Sequence, residues 1–469
     1  MPFPNRLATQ YATVLLRGRF SHGLYRTANL QNVTGRMLIA GGNVAGVSAA
    51  IAARKHDQEM EIVLVEESNF ALPRSQGSPG TIGQEDAFPR PASFNPQLLR
   101  SQYRVDVRLG HLLEAVDLES KVVQVVDAAH GRAYKLAFRE LVFATGARNK
   151  ELQVPRDEVG PSVVGAHSWE AMDKAIEISK DGNKPTVLIV GGSLDGAELV
   201  DPLLKNGLRV VVLTDGPTAV DGFDPAIGRL AETALRSSGA DVYLDASIES
   251  IDETGVSSDA GFFDCQLVLL ASELYPNTEV AQQAALPLGE KGALLVNGRQ
   301  EVAEGVWAAG NCCDCFHIVV RKRGYYPSGQ RPALEGATAG INAAGGYRIS
   351  EGVVDVVAGR VSGLTIARCG IDAHAAQLVG YSCEELVIQP SAENSYLHGK
   401  FYDSRIGSGL FSKLFLERGT SRILGAQLAG PPVVEGCIDL LALAVTKGIS
   451  LEELMRFDLG YAKYLREHA

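Results

Sequence analysis

Apolar and polar positions along this chain change period twice, and each change falls on a glycine-rich turn. Met37-Leu-Ile-Ala40 is a short continuous apolar run, as in a strand buried on both faces. Gly41-Gly42-Asn43-Val44-Ala45-Gly46 interrupts it, Val47 to Arg54 continues with the small residues of a packed helix, and Ile62-Val-Leu-Val65 closes on Glu66. About 150 residues further on, Val187-Leu-Ile-Val190 leads into Gly191-Gly192-Ser193-Leu194-Asp195-Gly196, and a second run, Val210 to Leu213, ends on Thr214-Asp215. The pattern predicts two strand-turn-helix-strand units, Met37 to Glu66 and Thr186 to Asp215.

Such units bind dinucleotides for physical reasons. Gly41, Gly42 and Gly46, with Ala45 at the helix start, let the backbone turn sharply, approach a pyrophosphate and pack the helix on the sheet, while free amide groups face the anion. Glu66, at the end of the second strand, is placed to accept hydrogen bonds from a ribose. In the second unit Gly191, Gly192 and Gly196 repeat the turn and Asp215 can hold a ribose hydroxyl. Asp195 lies inside that turn, where a carboxylate opposes a pyrophosphate unless it points away. A fold retained after its ligand site decayed fits this second unit equally well.

Between and after the units, Leu72 to Pro96 is rich in Pro, Gly and Ser and reads as loops. Val105 to Leu109 and Lys121 to Val126 read as strands, and Leu141-Val-Phe-Ala-Thr145-Gly146 as a buried strand ending in a turn. Leu267 to Ala271 is a further strand, and Gly305 to Gly310 returns the chain to the first sheet. The expected fold class is α/β: two Rossmann-like nucleotide-binding domains, one inserted in the other, plus a C-terminal α+β domain. The boundaries are a basic extension at 1–35, a discontinuous first nucleotide-binding domain at 36–155 and 275–348, the inserted second one at 156–274, and the C-terminal domain at 349–469.

The 469 residues are 46% hydrophobic and 21% charged, an ordinary globular balance, and the net charge of -11 argues against nucleic acid as a partner. No apolar run approaches the roughly 18 residues of a membrane helix. Seven unevenly spaced cysteines suit a reducing compartment, so a cytoplasmic protein is expected. No acidic residue precedes Asp57, whereas Arg6, Arg17, Arg19 and Arg26 do; an organellar targeting segment and a basic docking arm both fit.

Beyond the two turns, Ala144-Thr145-Gly146, Pro276-Asn277-Thr278-Glu279, Ala308-Ala309-Gly310-Asn311 and Glu335-Gly336 through Gly340 resemble the flavin-dependent pyridine nucleotide-disulfide oxidoreductases. The likeness is to the coenzyme A disulfide reductase, NADH oxidase and NADH peroxidase branch, and covers residues 37 to 469. Leu364 to Gly370, Ile423 to Gln427 and Asp458 to Ala462 are similar to that family's dimerisation domain. The resemblance implies FAD held by Gly41, Gly42, Ala45, Gly46, Glu66, Thr145, Gly146 and Asn311, and NAD at Gly191, Gly192, Gly196 and Asp215.

The departures matter for function. Where the branch carries a redox cysteine, alignment places Gln76 in Ser75-Gln76-Gly77-Ser78-Pro79, and no cysteine occurs between residues 37 and 264. An amide forms no thiolate, so the usual thiol chemistry is not expected there. Asn311 stands for an aspartate, and Asp195, Thr214 and Glu273 replace an apolar residue, an acid and a glycine, which together argue against NAD binding. Cys312-Cys313-Asp314-Cys315 supplies other thiols, with Cys313 and Cys315 as spare redox candidates against the plainer reading of buried, inert cysteines. Tyr402 and Tyr461 resemble the tyrosines that a partner subunit presents in coenzyme A disulfide reductases, although aromatic residues in an interface more often anchor it. The expected function is an FAD-binding oxidoreductase passing electrons between the flavin and a partner or small acceptor. Alternatives are a non-catalytic flavoprotein or scaffold subunit, and an NADH-dependent disulfide or peroxide reductase using Cys312 to Cys315. A homodimer is expected.

Overall fold

A computed structural model describes residues 35–68, 96–157, 159–180, 182–327, 331–388, 402–403 and 408–468. Residues 1–34, the Gln76 segment and His398 to Phe401 lie outside the described residues.

β1 (Arg36–Ala40) is the heart of the first sheet because Met37, Leu38, Ile39 and Ala40 are all fully buried, apolar on both faces. It pairs in parallel with β2 (Glu61–Glu66), Met37 opposite Ile62 and Ala40 opposite Val65, and on its other side with the strand Glu140–Phe143. The sheet runs Glu301–Ala303, Val306–Ala308, Glu140–Phe143, β1, β2, Val105–Leu109. The chain thus leaves after Phe143 and returns at Val306 to pair in parallel with Leu141, as expected for an inserted unit.

α1 (Val44–His56) follows the first turn. Gly41 has φ +112°, and a Cβ there would stand 2.0 Å from the Ala144 carbonyl oxygen, so only glycine fits. The insertion carries β3 (Thr186–Val190), α2 (Leu194–Lys205) and β4 (Arg209–Leu213) in a second parallel sheet, ordered Asp241–Tyr243, β4, β3, Leu267–Leu270, Ser162–Gly165. Lys121 to Val126, expected as a strand, is the middle of a three-stranded antiparallel sheet, at Val122–Asp127.

α3 (Arg331–Ala343) lies on α1 at backbone contact. A Cβ on Gly336 would be 2.1 Å from the Ala45 carbonyl oxygen and one on Gly340 2.2 Å from that of Ala49. Past it, an antiparallel sheet runs Val357–Val361, Leu364–Gly370, Ile423–Gly430, Phe411–Glu417, Cys383–Ile388. One face packs on the helix Val433–Lys447; the other places Val361, Leu364, Ile366 and Phe411 in one core with Val187, Leu199 and Ile227 of the second nucleotide unit. Lys413 Nζ, 2.7 Å from Asp224 Oδ2, fastens the same contact.

Candidate functional site: two glycine turns and a buried ion pair

The first turn is held by backbone geometry and by Glu66. The Gly41 N–H donates to Val65 O at 2.8 Å, and the Gly42 N–H donates to Glu66 Oε2 at 2.5 Å. The other carboxylate oxygen accepts from Ser68 N and Oγ at 2.9 and 2.7 Å. The acid at the end of β2 therefore lies beside the turn, where a ribose next to a turn-bound pyrophosphate would meet it. Gly46 is required for packing, since its Cβ would be 1.9 Å from Gly41 O.

Asn43, the middle position of the turn, caps α1. Its Oδ1 accepts from Ala45 N and Gly46 N at 3.0 and 3.3 Å, while its Nδ2 donates to Ala144 O at 2.5 Å. Beyond Ala144, Thr145 Oγ1 donates to Asn277 O at 2.5 Å, Asn277 Nδ2 returns a bond to Thr145 O at 3.0 Å, and Gly146 turns with φ +72°. Thr145, Gly146 and the glycine turn thus meet at the crossing between the two sheets.

Near the same turn, Gly310 adopts φ +82° with Ala45 Cβ 3.0 Å from where its own Cβ would be. A buried ion pair grips both sides of this residue. Gly310 N donates to Glu335 Oε2 at 2.9 Å, Arg331 Nη2 donates to Gly310 O at 3.3 Å, and Arg331 Nη1 donates to Glu335 Oε1 at 2.7 Å. Arg331 is 5% and Glu335 2% exposed. Burial, which lowers the Arg331 pKa, is outweighed by the Glu335 carboxylate, so the guanidinium stays charged; burial pushes the Glu335 carboxyl up. Asn311 is buried, and its carbonyl accepts from Tyr325 OH at 2.9 Å.

All three clustered thiols are buried: Cys312 and Cys313 fully, Cys315 with 4% exposed. Cys313 Sγ lies 3.2 Å from Gly310 O and 3.8 Å from Glu335 Oε2. A hydrogen bond from Cys312 and burial raise the Cys313 thiol, and burial lifts Cys315 to about 12. The Cys313 contact, with donors from Thr145 and Gly146, draws Cys312 down to about 7. Such burial is the setting of packed thiols, and Cys312 Sγ donates to Phe143 O and Ala309 O, both at 3.4 Å. Among the described residues no cluster of three His, Cys, Asp or Glu side chains could hold a metal ion.

In the second turn Ser193 takes the middle position and caps α2, its Oγ accepting from Gly196 N at 3.3 Å. The expectation that Asp195 and Glu273 bar NAD is corrected by where their charges go. Asp195 Oδ2 lies 3.0 Å from His167 Nδ1, and Glu273 pairs with Lys291, whose hydrogen bond lowers the Glu273 pKa. Thr214 is buried, with its Oγ1 accepting from Gly216 N at 3.2 Å. Asp215 is exposed just past β4. A residue not flagged in the sequence, Asp221, folds over the turn: its N–H donates to Gly192 O at 2.7 Å, and a Cβ on Gly192 would stand 2.6 Å from Asp221 Oδ1. Burial, then Asp215, pushes the Asp221 carboxyl up.

Tyr461 is 4% exposed in its own subunit's C-terminal core, stacked on Tyr464 at 5.9 Å, and burial raises its hydroxyl. Tyr402 begins the short strand Tyr402–Asp403; its side chain lies outside the described residues.

Two Rossmann-like units in one subunit, one inserted in the other and followed by a β-rich C-terminal region, define the class by fold as a two-Rossmann-domain protein. Residues 35–341 match the pyridine nucleotide-disulphide oxidoreductase family, and the chain belongs to it. A curated relative, the NAD(P)H coenzyme A polysulfide/persulfide reductase of Pyrococcus horikoshii, is 24% identical over 440 residues, covering 92% of this chain and 95% of that protein. The NADH oxidase of Methanocaldococcus jannaschii is 25% identical over 437 residues, 91% of this chain and 94% of the relative. Among solved structures, a NAD-dependent persulfide reductase from A. fulgidus superposes with TM-score 0.80 at 24% identity, covering 91% of this chain and 79% of that one. No helix among the described residues is long and apolar enough to cross a membrane.

Proposed function

We propose that this protein is an FAD-dependent oxidoreductase that accepts electrons from a nicotinamide nucleotide and passes them to a small acceptor or a redox partner. The observation that carries the reading is the pairing of two glycine turns, each with a helix N-terminus in place and an acid at or just past the end of the second strand, Glu66 on Gly42 and Asp215 beyond β4. Family membership and relatives that use NADH or NAD(P)H support it.

In this reading residues 36–155 and 275–348 hold FAD, 156–274 hold the nicotinamide nucleotide, and 349–469 form the dimer contact, where Leu443, Phe457 and Leu459 are exposed. FAD, when bound, supplies hydride and single-electron chemistry. The chain's own residues do the rest. Glu66 receives a ribose, Thr145 and Gly146 line the crossing between sheets, and the Arg331–Glu335 pair fixes the Gly310 turn and keeps water from it. His167 and Lys291 draw negative charge away from the second pyrophosphate position. With no cysteine between 37 and 264 and with Cys313 and Cys315 buried, the acceptor is reduced without a protein disulfide step. The seven cysteines form no disulfide among the described residues, which suits a reducing cytoplasm.

The test is the absorbance spectrum of the purified protein, followed anaerobically while NADH and then dithionite are added. A flavin band bleached by NADH is the expected result. A band reduced by dithionite alone would remove the nicotinamide step, and a folded protein that binds no flavin would overturn the reading in favour of a scaffold subunit.

A further inference from the structure

Asp195 stands in the first turn of α2, three residues past Gly192, so its charge is fixed beside the helix start that faces an anion at the second turn. His167 meets it from another element. Its Nδ1 lies 3.0 Å from Asp195 Oδ2, its backbone N–H donates to Asn149 Oδ1 at 3.3 Å, and Asn149 Nδ2 donates to Ser272 O at 2.9 Å. Asn149 closes the strand that follows Gly146, so the imidazole is held between the loop of the first site and the turn of the second. Both partners keep a water-facing edge, with 22% of the His167 side chain and 26% of the Asp195 side chain exposed. An ionised carboxylate only accepts, so Nδ1 carries the donating proton, and the ring gains or loses its other proton at Nε2 without giving up Asp195.

We infer that His167 takes up a proton when the pyrophosphate of a nicotinamide nucleotide arrives at the second turn, so that nucleotide binding at this site is coupled to proton binding. The inference rests on the nicotinamide reading above and adds to it the residue that ties affinity to pH. The sign follows from charge. With the ring neutral, the His167–Asp195 pair carries one negative charge and opposes the anion; with the ring protonated, the pair is neutral and the opposition is gone. Linkage makes the effect reciprocal, since a bound anion favours the imidazolium as much as the imidazolium favours the anion. Uptake of about half a proton per nucleotide lowers the dissociation constant about threefold for each unit by which the pH falls. Charged groups on the neighbouring elements are Lys150 beside Asn149, Glu170 in the helix that follows His167, Glu198 on α2, which accepts from Arg360 N, Glu273, paired with Lys291, and Asp215 and Asp221 past β4. Asp221 also faces the turn, over Gly192, and its carboxyl is pushed up by burial and by Asp215, so the experiment controls for it.

The experiment is titration calorimetry of the full-length protein with ADP-ribose, which carries the pyrophosphate of the nucleotide and cannot reduce a flavin. It reads the dissociation constant between about pH 6.5 and 8.5 and, in buffers of different ionisation heat, the protons bound with the ligand. The wild type should bind about tenfold more tightly at the acid end than at the alkaline end, with net proton uptake. His167→Asn, whose amide can donate to Asp195 in place of Nδ1 but cannot gain a proton, should match the wild type at the alkaline end and change less than about twofold across the range. Asp221→Asn should keep the wild-type slope. A histidine that only positions Asp195 would leave the wild type as flat as His167→Asn. A flat wild type, a slope that survives in His167→Asn, or one lost in Asp221→Asn overturns the inference and leaves the nicotinamide reading in place. If ADP-ribose does not bind the folded wild type at any pH, the nicotinamide reading falls and this inference with it.

Discussion

Replacing Arg331 by methionine tests whether the Gly310 turn depends on its buried ion pair. Methionine matches the aliphatic stem but leaves Glu335, 2% exposed, with a carboxylate facing only neutral donors, the Gly310 N–H and the Cys313 thiol. Removing one partner of a buried pair costs about 3–5 kcal/mol, because the remaining charge is uncompensated. The double variant Arg331→Met, Glu335→Gln removes both charges yet keeps an amide oxygen for Gly310, so it should lose about 1 kcal/mol, well short of the sum of the single changes. Urea unfolding in a Trp169→Phe background reports on this region, since Trp307 then remains as the one tryptophan, with its Nε1 donating to Glu140 at 2.8 Å in the first sheet. The sign with pH follows. Glu335 is pushed above its ordinary carboxyl range by burial, and further once Arg331 is gone, so folding takes up a proton and stability grows as pH falls through that raised value. The Arg331→Met deficit should therefore shrink on acidification. A deficit below about 1 kcal/mol at neutral pH, or a double variant as damaged as the two singles added, would refute the reasoning.

Other expectations are shorter. Gly340→Ala should cost about 1–3 kcal/mol by forcing α3 off α1, where the new Cβ would lie 2.2 Å from Ala49 O; thermal unfolding reads it, and an unchanged melting temperature would show that the two helices slide apart freely. His167→Ala should release Asp195 toward the second pyrophosphate position and raise the NADH dissociation constant about threefold, with Asp195→Asn added to the same variant restoring it. Native thiol titration with an aromatic disulfide should find Cys383 reactive and the six buried cysteines protected until urea is added; fast reaction at Cys313 or Cys315 would revive the dithiol alternative.

Legibility followed sequence distance. The strand-turn-helix units were readable because their signals are local: β1 is an unbroken apolar run, and Gly41 and Gly46 stand where a Cβ would meet backbone. The insertion could be read because Val306 to Ala308 carries the same buried pattern as Glu140–Phe143, its neighbour. What escaped was charge placement. Asp195 and Glu273 look hostile to a dinucleotide until His167 and Lys291, 28 and 18 residues away, are seen to take them. Asp221 escaped for the converse reason, since nothing near it in the chain marks it as the residue that covers Gly192. Arg331 and Glu335 stand four apart on a helix, a spacing that by itself says nothing of burial, and only tertiary packing makes them a buried clamp. Asn43 was in plain view, but a reading that counts glycines passes over the position where one is missing.

The C-terminal sheet has a mechanical consequence. It shares a core with the second nucleotide unit, and Arg360 N donates to Glu198 on α2 at 2.9 Å. The segment leading into it bonds the hairpin that follows the Gly310 turn, Ile318 N to Val353 O at 2.9 Å, and Val319 of that hairpin packs in the C-terminal core. The two glycine turns are linked a second time by the antiparallel ribbon of Ala147–Asn149 and Leu274–Pro276. The spacing between the two turns is thus braced twice, by the ribbon on one side and by the shared core on the other.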